Sequence, residues 1–146
     1  MKQELIIHFN NLNLPIDTQL WLTDFWDVIQ GLDDWRDNDT VDSLEKEKVI
    51  YQVMVALPSN PFFQRHAQHL LPIMSNLVLK WIAANKLEDN KEELNKAYMW
   101  RAAYYDLVLE VVRLVHGYEN AALASDYVAK MYGESFEEYV KEFQNA

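Results

Sequence analysis

The chain contains no cysteine, which excludes a disulfide framework and any thiolate metal site. Breakpoints are scarce as well. Three glycines and four prolines in 146 residues favour long helices over many short strands. Long apolar runs are missing, and none approaches the length needed to cross a bilayer. Residues 1–19, punctuated by Asn and Pro, do not read as a signal peptide, so the expected setting is the cytoplasm. Bases are few: 13 Lys and Arg stand against 23 Asp and Glu, for a net charge of −10. That balance disfavours direct binding to nucleic-acid phosphates, which needs a basic patch. Also absent are a phosphate-binding Gly-rich loop, G-x-S-x-G, H-E-x-x-H and a cysteine nucleophile. What the acidity admits is a basic protein partner, a divalent cation, or mimicry of nucleic acid.

What is present is concentrated. Between residues 17 and 42 stand eight aspartates (17, 24, 27, 33, 34, 37, 39 and 42), no glutamate, and one base, Arg36. A merely solvated helix face more often mixes Glu with Lys at i,i+4 spacing. Aspartate is the poorer helix former and is favoured at caps, turns and cation sites. Half the residues are apolar, which argues against disorder.

The chain reads as one all-α domain, residues 1–146, a bundle of five to six helices. Residues 1–16 form an N-terminal arm or a short helix, 17–117 carry four main helices, and 118–146 hold the C-terminal helices. Asp17 is the expected N-cap of the first main helix, whose buried stripe would be Leu22, Phe25, Trp26, Ile29 and Leu32. Gly31 is expected to weaken or kink it. Asp42 with Glu45 opens the second as a capping box, with Val49, Ile50, Val53, Met54 and Leu57 inward. Asn60 and Pro61 start the third, whose stripe carries Phe62, His66, Leu70, Ile73, Leu77 and Trp81, and which Pro72 should kink or split. Residues 87–90 read as a turn, and Asn90 with Glu93 as the capping box of a helix ending at Gly117. Residues 120–132 and a last helix opened by Ser135 and Glu138 complete the chain.

Register turns these helices into a site hypothesis. Steps of three and four beyond Trp26 and Ile29 reach Asp33 and Asp37, so those two are expected to point inward while Asp24, Asp27 and Asp34 look outward. Arg101 lies within the apolar stripe of its helix between Tyr98 and Tyr104, and a guanidinium there requires a carboxylate partner. Asp33 or Asp37 is the expected one. Four readings follow. The first is a structural polar network that fixes helix pairing. The second is a divalent-cation site in which Asp33 and Asp37 offer oxygen ligands to Mg²⁺ or Mn²⁺, with His66, Arg101 and Asp106 as candidate catalytic groups. The third is that the helix stops at Gly31, residues 33–39 form a loop, and the acidic patch is a surface for a basic partner, with Asp24, Asp27, Asp34 and Asp39 as its partner-binding residues. The fourth is a transition-metal site on His66 and His69, weakened by the lack of a Glu-x-x-His pair. Residues 33–37 also match D-D-x-x-D, the magnesium-diphosphate motif of isoprenoid synthases. Those proteins are much longer and carry a second acidic motif on another helix, which this chain lacks.

Three segments together resemble a group of small all-helical proteins encoded by tailed phages and prophages. They are W-D-V-I-Q-G-L-D-D-W-R-D-N-D (26–39), L-P-S-N-P-F-F-Q-R-H (57–66) and R-A-A-Y-Y-D-L (101–107). The resemblance implies a phage accessory gene product acting in the bacterial cytoplasm. It brings no assigned activity, so no catalytic residue is carried over.

The leading expectation is therefore a small acidic accessory protein that binds a macromolecular partner, a protein of basic character, with no membrane and no nucleic-acid phosphate involved. A homo-oligomer is admitted and no cofactor is required. The alternative is a divalent-metal-dependent phosphoester or nucleotide hydrolase with an inward Asp/His/Arg site. A metal enzyme would gain roughly 2.7 kcal/mol of stability at a hundredfold excess of its ion over Kd.

Overall fold

The structure, a computed structural model, describes residues 2–37 and 40–144. Over these residues it is all-α, 87% helical and without strands, with seven helices rather than five or six. The added one is at the N-terminus. Helix α1 (Lys2–Asn11) forms because Leu5, Phe9 and Leu12 recur at i, i+4 and i+7, and all three are buried. No described helix is long and apolar enough to cross a membrane.

The chain divides into two compact units, Met1–Ala67 and Gln68–Ala146. The first is built on α1, α2 (Ile16–Arg36) and α3 (43–59). Its centre is Trp21, fully buried, stacked on Phe63 at 5.7 Å and tilted against Phe25 at 5.4 Å. Burying each such ring contributes about 2–3 kcal/mol. The inward stripe of α2 is Thr18, Trp21, Leu22, Phe25 and Val28. It is rotated from the expected one, so Trp26 and Ile29 are only half-buried and Leu32 is exposed. Asp17 is not the N-cap: the helix begins at Ile16, and the Asp17 carboxylate accepts the Thr18 N–H at 2.8 Å. Nor does Gly31 end or kink α2. A methyl group there would come within 2.6 Å of Val49 Cγ2, so glycine is what lets α3 approach.

Asp42 caps α3 by accepting the Glu45 N–H at 2.8 Å, as the sequence predicts. The helix then changes pitch. Ser43–Tyr51 is α-helical, Gln52–Ala56 is a π-helix in which the Leu57 N–H bonds to the Gln52 carbonyl, and Leu57–Ser59 closes the helix. Pro58 explains the location: its ring would strike the carbonyl four residues back, at Met54, and the wider π turn moves that carbonyl aside. The extra residue in the turn shifts the inward face to Val49, Gln52 and Leu57. Ile50, Val53 and Met54, expected inside, are exposed instead.

Asn60 caps α4 (Pro61–Asn90), accepting the N–H of Phe62 at 2.9 Å and of Phe63 at 3.3 Å. The backbone of α4 leaves helical geometry at His66 (φ −125°, ψ 15°), not at Pro72. Pro72 and Gln68 are both exposed, so the carbonyl that loses its partner can turn to water.

The second unit holds the rest of α4, α5 (94–116), α6 (Tyr118–Lys130) and α7 (Phe136–Gln144). Residues 87–90 are not a turn. They are the last turn of α4, kept helical because Leu87 packs on a core of Ala84, Ala97 and Tyr139. Asn90 and Glu93 accordingly form no capping box: Glu93 is left-handed (φ 46°) and caps with no side-chain bond. Helix α5 consists of Leu94–Arg101 and Ala103–His116 on either side of Ala102. Gly117 (φ 90°) reverses the chain into α6, and the α5–α6 hairpin buries Leu107, Val108, Val111 and Val128. Ser135 and Glu138 do form a capping box at α7, with bonds of 3.1 and 3.4 Å.

Candidate functional site

The aspartates of α2 fall into two sets, and Asp27 and Asp37 lie opposite to expectation. Asp27, expected to look outward, is 15% exposed and accepts Lys2 Nζ at 2.8 Å, with Lys48 Nζ at 3.8 Å. Gln52 Nε2 donates to both Asp24 Oδ1 and Asp27 Oδ2 at 3.3 Å. These two carboxylates tie α1, α2 and α3 together. The Asp27 charge is met inside the unit by Lys2 and Lys48, while Asp24 receives the Gln52 amide. Asp37, expected inward, is 52% exposed at the end of α2, with Arg36 Nη1 at 3.8 Å. Asp33 is half-buried and Asp34 exposed. Asp39 lies outside the described residues. The reversal follows from the rotated stripe of α2, which swings the side of Asp24 and Asp27 toward α3.

Gln52 was not singled out by sequence reasoning. Its side chain is 95% buried from solvent within the π-helix, and its Oε1 has no hydrogen-bond partner. The only sequence signal was Pro58, which marks an irregular helix without saying which residue it turns inward.

Arg101 is held in the second unit, at 19% side-chain exposure, and Glu88 is a carboxylate partner it finds there. The guanidinium engages Glu88 through Nε and Nη2, and Nη2 also donates to Asn85 Oδ1. Tyr139 donates its hydroxyl to Glu88 Oε2 at 2.6 Å. Burial, then the bond to Glu88, push the Tyr139 phenol well above its ordinary value. Tyr98, stacked on Tyr132 at 5.1 Å, donates to the Glu134 carbonyl at 2.5 Å. Burial raises the Tyr132 phenol also. The Tyr98 and Tyr139 hydroxyls thus both donate within this network. Glu88 was hidden by the expected turn at 87–90. The signal that could have revealed it is the step from Leu77 through Trp81 and Ala84 to Glu88, with no Gly or Pro to interrupt it.

The Glu134 carboxyl is pushed up to about 7 by desolvation, by Glu142, and by Glu138 and Glu88.

The remaining candidates are dispersed. His66 belongs to the first unit, half-buried, its ring 4.9 Å from that of Phe62. Asp106 is 56% exposed and accepts Lys80 Nζ at 2.9 Å, while Arg101, five residues earlier, faces Glu88. Asp106 also edges an open groove of about 370 Å³ along α5 and α6, but the charged pair within it, Glu110 and Arg113, is self-satisfied. Among the described residues, no three His, Asp or Glu side chains come together as a metal ligand set.

Comparison of the chain with protein-family models, curated proteins and solved structures finds no match.

Proposed function

We propose that this chain is a small acidic accessory protein of the phage type that acts by binding a basic protein partner in the bacterial cytoplasm. The observation that carries the reading is the exposed acidic end of the α2–α3 hairpin. Asp34, Asp37 and Asp42 are exposed there, while Asp27 is paired with Lys2 and Lys48 and Asp24 accepts the Gln52 amide within the unit. Between residues 16 and 59 stand ten carboxylates and three bases. Such an excess on one hairpin accelerates encounter with a cationic surface and makes the rate depend on salt. The phage setting rests on the sequence resemblance alone.

The test uses polylysine as the cationic probe. Converting Asp34, Asp37 and Asp42 to Asn keeps a capping side chain at 42, so the far-ultraviolet circular dichroism should not change. Association should slow several-fold and its salt dependence should flatten. An unchanged on-rate, or no association of the native chain with polylysine at low salt, refutes the reading.

A further inference from the structure

Helix α3 turns an unusual run of side chains outward. Leu44, Ile50, Tyr51, Val53, Met54 and Val55 are all exposed, Met54 at 72% and Tyr51 at 61%. Together they present on the order of 600 Å² of surface, at the upper limit of what a monomer ordinarily leaves uncovered. Gln52 follows Val49 at an ordinary helical step of three and is buried with its Oε1 lacking a donor; the π turn that begins there carries the inner face on to Leu57 and leaves Val53, Met54 and Val55 outside. π-Segments of this kind persist most often at functional sites.

We infer that this face of α3 is a docking surface for a cationic amphipathic helix of a protein partner. The inference rests on the basic-partner reading above and adds the shape of the ligand and the place where it sits. Charge selects the occupant. The apolar face lies on the same hairpin as Asp34, Asp37, Asp42, Glu45 and Glu47, all exposed. Lys46 and Lys48 are the opposing bases on α3, and Lys48 leans toward Asp27. Leucines on the partner would cover Tyr51 and Met54 while its lysines or arginines meet the carboxylates. A second copy of this chain would set −10 against −10, and like charges brought together oppose association. An extended strand has no sheet edge to join, since no strand occurs among the described residues. From Leu44 to Val55 the helix rises roughly 16 Å, three turns, the span over which an i, i+3, i+4, i+7 pattern of anchors engages.

The experiment is a titration of the full chain with a designed Leu/Lys amphipathic peptide of about 16 residues, long enough to cover that rise. A Leu/Glu peptide of the same pattern is the control, and amide chemical shifts are followed. One-to-one binding of the Leu/Lys peptide is expected, with the largest shifts at Ile50, Tyr51 and Met54 and none with the Leu/Glu peptide. Met54→Glu should weaken binding about tenfold or more, the size of a lost interface anchor, with the fold intact because Met54 is exposed. Three results overturn the inference. Binding indifferent to Met54→Glu but lost on neutralising Asp34, Asp37 and Asp42 would leave only a general acidic surface, and the proposed function would stand without the docking face. Sedimentation showing a dimer that Met54→Glu disperses would assign the face to a second copy. Equal binding of the Leu/Glu peptide would remove charge as the selector.

Discussion

Replacing Arg101 by methionine removes the cation from a network of four groups: Glu88, Asn85, Tyr139 and Arg101 itself. Methionine keeps most of the aliphatic stem and its packing, so the cost reports charge and hydrogen bonding. Glu88, 14% exposed, would be left with Tyr139 as its donor. Losing one partner of a fully buried ion pair costs roughly 3–5 kcal/mol. Side-chain exposures of 19% and 14% admit some water to this pair, which reduces the expected loss to about 2–3 kcal/mol. At this chain length that lowers Tm by roughly 5–10 °C. The second change is Glu88→Gln, which removes the stranded charge while keeping an acceptor for the Tyr139 hydroxyl. The double variant should recover about 1–2 kcal/mol relative to the sum of the single changes. Urea denaturation of the four proteins measures both quantities. A loss below about 0.5 kcal/mol for Arg101→Met, within the range of ordinary surface substitutions, would refute the network. So would additivity with Glu88→Gln combined with coupling to Asp33→Asn or Asp37→Asn, since the expected partner would then be the true one.

Gly31→Ala should destabilise despite alanine's advantage of about 1 kcal/mol in a helix. Its Cβ meets Val49 Cγ2 at 2.6 Å, and overpacking of this kind costs about 1–3 kcal/mol; Val49→Ala in the same chain should relieve the clash, and a stabilised single variant would contradict the close approach. Asn60→Ala removes the cap on Phe62 and Phe63 together with the bond from Nδ2 to the Asp17 carbonyl at 2.9 Å. Thermal melts should show a loss of about 1–2 kcal/mol, partly restored by Asp, which caps but cannot donate. Stability should also fall as pH rises from about 4.5 to 7. The Glu134 carboxyl, raised from 4.5 to about 7, holds its proton longer folded than unfolded. Its contribution is therefore complete below the unfolded value and lost on approach to the folded one. Glu134→Gln should flatten that slope, and a Tm that rises across the same interval in the native chain but not in the variant would reverse the sign.

The helices themselves were legible in the sequence, because their determinants are local. Asp42, Asn60 and Ser135 cap where their side chains can reach backbone N–H groups two or three residues on, and Gly117 reverses the chain because φ of 90° costs glycine little. Apolar spacing also placed Phe62, Leu70 and Leu77 correctly on the buried side of α4. Orientation was another matter. The stripe of α2 is wide enough to be centred on Trp21 and Val28 or on Trp26 and Ile29, and only packing against α1 and α3 chose the former. That choice sent Asp24 and Asp27 to Gln52, Lys2 and Lys48, and left Asp37 at the surface. The π turn before Pro58 carried the inner face from Gln52 to Leu57, a step of five that no α-helical periodicity contains. Arg101 shows the division most clearly. A guanidinium on an apolar stripe requires a carboxylate, and its residue type and position establish that much. Which carboxylate answers depends on whether α4 continues past Leu87, and that was decided by the packing of Leu87 against Ala84, Ala97 and Tyr139.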